Sequence, residues 1–370
     1  MKKKGALYFN CGCEINARML RDLRLRDFRC FESLDLVPGP ELNFFVGPNA
    51  QGKTSILEAA CVLLRLQSPR VGSLAESVRF DQAGFGLDGH WGERHLHVKF
   101  TNALKAFSLD SKPRSRASDY LAVARAVWIS NDDLQLVRGS GSARRRYLDF
   151  LGAQTVPNYL RHLRSYERAL RSRNSLLKDH RPRREIAAFD SSLLDAGTQL
   201  LETRAAMSQE LRPFVTTACH RIAGGADSLE IAYQPGVSGD FAQALEASRP
   251  EEERRRVTVV GPHRDDVGIV LQGREAAQFA SEGQQRSIAL ALKLAQAALM
   301  ESRPGPAPIY LIDDVFGELD PMRRNNFLEA LPVKAQKLIT VTSLDWLEVP
   351  GSAARFEVGG GTVRSWSGGG

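Results

Sequence analysis

Eight consecutive residues of this 370-residue chain, GPNAQGKT from Gly47 to Thr54, have the types and spacing that grip a phosphate. Gly47, Pro48, Asn49, Ala50, Gln51 and Gly52 supply a loop whose backbone N–H groups curl round phosphates at a helix N-terminus. Lys53 would neutralise β and γ charge, and Thr54 would ligate Mg²⁺, so the expected ligands are ATP and Mg²⁺. Two carboxylates, Asp313 and Asp314, end the apolar run IYLIDD. There Asp313 is expected to hold the metal through water, and Asp314 to orient or deprotonate an attacking water. A third stretch, SEGQQRSIALALKLAQ, spaces Ser281 and Gln284 as a capping box, while Gly283 permits close backbone approach. A helix start of that kind also receives anions. One subunit has no evident need for two phosphate sites. If the second accepts the γ-phosphate held by a twin's loop, ATP becomes the glue of a homodimer.

These residues need strands and helices to hold them. The GPNAQGKT loop follows the apolar run ELNFFVG (41–47) and precedes the helical SILEAACVLL, which is the setting such a loop requires. Alternation around Leu23–Leu25, LDLV at 35–38, a hairpin over 85–102 turning about Gly89 and Gly92, and AVARAVWIS at 122–130 read as strands. After GSGSA at 139–143 the period changes. Leu163, Leu170 and Leu177 recur every seven residues, and Ile186 to Ile222 keep a spacing near 3.5, which predicts a helical hairpin with Pro213 kinking or ending its second helix. Strands return at SLEIAYQ (228–234) and VTVVG (257–261), then helix 284–300, strand 309–313, helix 322–331 and strand 337–343. The fold class is therefore α/β. Its expected division is an appendage over 1–18, a discontinuous head of 19–138 and 227–370, and an inserted helical arm of 139–226. The glycine-rich tail reads as frayed and residues 1–18 as flexible; Met19 is a candidate initiator.

Composition narrows the partners. The formal net charge is +7, yet residues 144–184 hold eleven Arg and one Lys against three acids, a local balance of +9. Such a block is the footprint of a polyanion partner, and Arg144, Arg145, Arg146, Arg161, Arg164 and Arg168 are the expected DNA phosphate contacts. The alternative, a solvated helix face, explains the block equally well. Cys11, Cys13, Cys30, Cys61 and Cys219 form no CxxC pair, so neither a disulfide framework nor a zinc site is expected and the setting is a reducing cytoplasm. No apolar run approaches a membrane span, and no secretory signal is read at the start. The histidines lack ligand spacing, GSGSA does not fit a nucleophile elbow, and GPHRDD (261–266) carries no assigned role.

Taken together, LRLRDFRCFESLDL, GPNAQGKT, LVRGSGSARRRYLDFL, VVGPHRDDVGIVL, SEGQQRSIALALKL and IYLIDDVFGELD resemble the ABC-type ATPase heads of the structural-maintenance-of-chromosomes class, and most closely the RecF recombination-mediator family, over residues 19–358. The resemblance implies a weak, DNA-dependent ATPase that closes as a homodimer on duplex or gapped DNA, works with RecO and RecR, and promotes RecA loading. It also implies that Ser281, Gly283 and Gln284 act in trans and that Glu318, Leu319 and Asp320 form a dimer-interface loop. Asp320 serves equally well as an N-cap before Pro321. Two departures from the wider pattern matter. Asp314 stands where transporter ATPases carry Glu, so hydrolysis is expected to be slow, and no histidine follows the last strand, leaving Thr342 or Ser343 as the hydroxyl contact. Asn131 or Gln135 takes the place of a loop glutamine. A transporter ATPase subunit and a chromosome clamp share parts of the pattern, but the basic insert argues against the first and the short arm against the second.

Overall fold

In the computed structural model, residues 18–113, 117–225, 228–347 and 349–366 are described. Residues 1–17 of the expected N-terminal extension, with Cys11 and Cys13, and residues 367–370 lie outside them. Among the described residues no helix is long and apolar enough to cross a membrane.

The central layer is a six-stranded sheet. Leu42–Val46 (β3), Arg125–Ser130 (β8), Pro308–Asp313 (β12), Lys337–Val341 (β13) and Ala354–Gly359 (β14) run parallel in the order β14-β3-β13-β12-β8, and Thr362–Ser365 (β15) closes one edge antiparallel. Strands covered on both faces need continuous apolar runs, which is why LNFFV and PIYLID show little alternation. Neighbouring side chains then enter different cores: Phe44, Tyr310, Ile312 and Ile339 point to one, and Phe45, Ile309, Leu311 and Leu338 to the other.

The second of these cores is closed by an antiparallel sheet of Leu20–Phe28 (β1), Phe31–Leu36 (β2), Gly84–Trp91 (β4), Arg94–Thr101 (β5), Leu104–Leu109 (β6) and Lys112–Pro113 (β7), in the order β2-β1-β4-β5-β6-β7. Between the two sheets lies Lys53–Arg65 (α1), whose apolar residues are buried all round because both of its sides face protein. One end of this helix is thereby fixed under the phosphate-gripping loop. The described start of the chain is a working strand: Gln336 holds it through the Leu20 backbone, accepting at 2.8 Å and donating at 2.9 Å.

The first core is helical. Between β8 and the next strand lie the short Gln135–Arg138 (α3), then Gly141–Thr155 (α4), Tyr159–Lys178 (α5), Arg183–Ala187 (α6) and Asp190–Ala223 (α7), while Ala117–Leu121 (α2) precedes β8. Helices α5 and α7 run antiparallel: Tyr159, at the start of α5, meets Arg204 in mid-α7, and Arg173, near its end, meets Asp190 at the start of α7. The predicted hairpin is present, but α7 does not end at Pro213. A proline in a helix interior costs about 3 kcal/mol. Leu211, Val215, Ala218 and Ile222 bury against the core on either side of it, and each large apolar side chain returns roughly 1.5–3 kcal/mol. Packing therefore overrides the breaker, and the hairpin lies along the body: α7 packs on Glu282–Ser302 (α11), Pro321–Ala330 (α12) and Leu229–Gln234 (β9).

Two other expectations fail locally. VTVVG is not a strand; the partner of β9 is Asp266–Leu271 (β10), antiparallel in a small sheet with Arg274–Glu275 (β11), while Thr258 is held by the Asn174 side chain at 2.8 Å. The helices Phe241–Ala247 (α8), Arg249–Arg255 (α9) and Ala276–Phe279 (α10) were not anticipated; all are short. The tail is ordered as far as β15, where Val358 pairs with Val363.

Candidate nucleotide-binding site

The loop Gly47–Gly52 leaves β3 and turns into α1 at the C-terminal edge of the parallel sheet. Gly52 has φ +98°, and a Cβ there would stand 2.6 Å from Cys30 Sγ and 2.8 Å from the Phe31 ring. At Gly47 a Cβ would meet the Val358 carbonyl oxygen at 2.2 Å. Both positions require glycine, one for conformation and both for space. Gln51 accepts from Gly360 N at 2.8 Å, tying the loop to the β14–β15 turn. Lys53 Nζ donates to the carbonyls of Gly47 (2.6 Å) and Pro48 (2.8 Å), so the ammonium lies inside the loop it serves. Burial pushes its pKa down, and Asp314 and Asp313 pull it back up.

The carboxylates sit beside it. Asp313, the last residue of β12, pairs in register with Thr340 of β13, and its Oδ1 accepts from both Thr54 Oγ1 and Thr340 Oγ1 at 2.8 Å. Thr340 Oγ1 also accepts from Asp314 N at 2.9 Å. Thr340 was missed in the sequence; its signal was a lone hydroxyl in the apolar run KLITV, opposite the aspartate. Asp314 adopts φ +52°, and Asn131 Nδ2 donates to its carbonyl oxygen at 3.1 Å. Burial raises the pKa of both aspartates; the Thr340 and Thr54 hydroxyls oppose it at Asp313, as Lys53 does at Asp314. All the donors around Asp313 are hard oxygens, which fits Mg²⁺.

A cleft of about 550 Å³ opens over these groups, lined by Asn49, Ala50, Gly52, Lys53, Thr54 and Asp314 together with Arg29, Cys30 and Arg70. Sequence reasoning missed its far wall. Arg29 and Arg70 are held there by Glu58, which is fully buried on α1. No local pattern links residues 29, 58 and 70; folding brings them together.

Ser281, Gly283 and Gln284 do not line the cleft. Ser281 caps α11, accepting from Gln284 N at 3.3 Å while its own N–H donates to Gln284 Oε1 at 3.0 Å; Ser281 is exposed and Gln284 half-buried. The loop after β12 is fastened to the same helix. Arg286 pairs with Glu318 at 3.0 Å, and Arg323 donates to Ser287 Oγ at 2.9 Å and pairs with Asp320. Asp320 also caps α12, accepting from Arg323 N at 2.9 Å.

The basic block divides. Arg144 forks onto Asp266 at 2.6 and 2.9 Å, Arg145 donates to the Asp265 carbonyl at 2.6 Å, and Arg173 is buried against Glu252 and Asp190. Arg144 and Arg173 are thus neutralised within the chain and hold helices in place, which for Arg144 corrects its reading as a DNA phosphate contact. Arg146, Arg161, Arg164 and Arg168 remain exposed. GPHRDD supplies the anchors. Buried Asp265 accepts from Arg204 and Tyr233 at 2.7 Å and from Gly236 N at 2.8 Å. His263 Nδ1 faces Tyr166 Oη at 2.6 Å, and burial pushes its pKa down to about 4.

Residues 19–349 match the family model described as the RecF/RecN/SMC N-terminal domain. A relative from Symbiobacterium thermophilum, named DNA replication and repair protein RecF, is 38% identical over 368 residues, covering 93% of this chain and 97% of its own. One of the same name from Streptococcus pneumoniae is 35% identical over 343 residues, covering 89% and 94%. The structure described as recombination mediator protein RecF–ATP in the RecFOR pathway superposes with TM-score 0.86 at 26% identity, covering 97% of this chain and all of that one. An Smc head bound to a winged-helix domain of ScpA superposes with TM-score 0.54 at 13% identity, a likeness of fold alone.

Proposed function

Because the chain belongs to the RecF family of DNA replication and repair proteins, within the RecF/SMC class of ATPases, we propose that it is an ATP-operated recombination mediator that closes as a homodimer on DNA. The observation that carries the proposal is the division of phosphate-directed groups into two separate sets. Lys53, Thr54 and Asp314 line one cleft, with Asp313 bonded to Thr54 beside it, while the capped N-terminus of α11, with exposed Ser281 and half-buried Gly283 and Gln284, does not line it. A second copy would bring its own helix start to the phosphates gripped by the first. Arg286–Glu318 and Arg323–Ser287 fasten the segment after Asp314 to that helix, so the two would move as one body towards a partner.

Bound Mg²⁺, held by Thr54 and Asp313, would supply positive charge to the β- and γ-phosphates. Lys53 adds a cation from within the loop, and its displacement from the Gly47 and Pro48 carbonyls is the local change that phosphate entry requires. Asp314 orients and deprotonates the attacking water; its short side chain makes turnover slow, and closure outlasts binding. Away from helix α5, the exposed Arg146 and Arg184 of the insert give the closed pair a positive field for duplex or gapped DNA. RecO, RecR and RecA are the partners this role implies, in the cytoplasm.

Sedimentation with ATP·Mg²⁺, with ADP·Mg²⁺ and without nucleotide tests the reading, alongside anisotropy of labelled duplex and gapped DNA over a salt series. Wild type should dimerise with ATP, Asp314→Asn should remain dimeric on DNA without turnover, and Lys53→Arg should stay monomeric. Identical sedimentation of all three in every nucleotide state overturns it.

A further inference from the structure

A hollow of about 1220 Å³ lies at the N-terminal ends of β8 and β12, the edge of the parallel sheet opposite Lys53 and Asp313. Helix α5 forms one side of it. Arg161, Arg164, Arg168 and Arg171 recur there at intervals of three and four, so they share one face. The remaining lining comes from α2, the α4–α5 turn and the segment before β12, and much of it is apolar: Leu121, Ala153, Val156, Leu160, Pro304 and Pro306. Arg125 lies at the base, buried, with its guanidinium on the carbonyl oxygens of Met300, Arg303, Pro304 and Gln154 and on no carboxylate.

The charge here is unbalanced. Five arginines line the hollow against the single carboxylate of Glu167, which stands 3.8 Å from Arg171. Among the described residues, Arg161 and Arg164 make no ion pair. Like charges three and four apart on a helix repel, and Glu167 is the one carboxylate of the lining that relieves them. The start of α5 opens into the same space, with Asn158 left-handed and without a side-chain cap, so the positive end of a 20-residue helix adds to the field.

We propose that this hollow is the docking groove for an extended acidic segment of a partner protein, one in which carboxylates alternate with apolar side chains. Alternation directs every second side chain to the arginine face and the others to Leu121, Val156 and Leu160. Arg161 to Arg171 spans about 15 Å of helix, which about five residues of extended chain match. Planar guanidiniums in a row grip carboxylates through paired hydrogen bonds. A nucleic acid fits less well. Tyr159, the one aromatic residue in the lining, is buried with its hydroxyl on Asp149, so no ring is offered to a base. A phosphodiester backbone has nothing to place on the apolar wall. The groove thus assigns the α5 arginines to a protein ligand, independently of nucleotide.

The test uses the full chain and fluorescein-labelled peptides of about eight residues, alternating Asp with Leu or Asp with Ser, and labelled duplex DNA in parallel. The Asp–Leu peptide should bind wild type, the Asp–Ser peptide at least about tenfold more weakly, and Arg161→Glu with Arg164→Glu should weaken Asp–Leu binding by at least about tenfold. Duplex affinity of that variant should change by less than about threefold. Arg161→Gln with Arg164→Gln serves if charge reversal lowers the melting temperature. No binding of the Asp–Leu peptide to wild type, equal binding of the two peptides, or a proportionate loss of duplex binding in the variant each overturns the proposal; the last result would make the groove a nucleic-acid site.

Discussion

Replacing Glu58 by alanine should cost about 3–4 kcal/mol of stability and weaken nucleotide binding with it. The carboxylate is fully buried on the second turn of α1 and receives Arg29 in a fork at 2.7 and 3.0 Å, Arg70 at 3.2 Å, Ser68 Oγ at 2.7 Å and Ser77 Oγ at 3.2 Å. Removing it leaves Arg29, whose side chain is 21% exposed, with only the Glu76 carbonyl. Breaking a buried pair by deleting one partner costs about 3–5 kcal/mol, and the partial exposure of Arg29 brings that to about 3. Arg70, 40% exposed, adds about 0–1 kcal/mol. Urea unfolding with linear extrapolation reads the loss. Glu58→Met with Arg29→Met should recover most of it, because replacing both charges by apolar groups leaves nothing unpaired. The pH dependence has a definite sign. Burial pushes the Glu58 pKa up, but Arg29, Ser68 and Arg70 outweigh it and hold it below the ordinary glutamate range. The stabilisation is therefore complete above the unfolded value of about 4.3 and disappears as pH falls through the lower folded value. A loss under about 1 kcal/mol, or a double variant as unstable as the sum of the singles, would refute the reasoning.

Thr340→Val keeps shape but removes the hydroxyl that joins Asp313 to the Asp314 N–H; it should lower Mg²⁺-dependent nucleotide affinity by about 10–100-fold while Mg²⁺-free binding stays unchanged, as isothermal titration with and without metal reads. Asp320→Ala removes the cap of α12 and should cost about 1 kcal/mol in chemical denaturation, whereas Asp320→Asn, which keeps the cap, should cost a few tenths. Loss of the ATP-dependent dimer in the asparagine variant would then assign the aspartate charge to the interface.

How much of this was legible before folding depends on how far apart the cooperating residues lie. GPNAQGKT, the Ser281–Gln284 box and the Asp320 cap are local devices whose partners sit within a few positions, and a short window holds them entire. The double aspartate was equally plain, because a carboxylate pair ending an apolar run has few other uses. Pairing across the chain was less so. Thr340 was passed over, because only the parallel register puts it beside Asp313. Sequence pattern also mistook VTVVG for a strand, because β-propensity is no guide when the partner strand is occupied by another segment.

The sequence alone determined the α/β class, the phosphate loop with its following helix, and the concentration of positive charge in the insert, since each depends on residue type at short range. Only the tertiary structure decided which arginines that charge leaves available. Arg144 and Arg173 are spent on carboxylates 122 and 79 residues away, while Arg161 and Arg164 keep an unpaired face towards a groove. The reason is physical: an ion pair is set by distance in space and by desolvation, and neither quantity exists until the helices of the insert have packed against the small sheet.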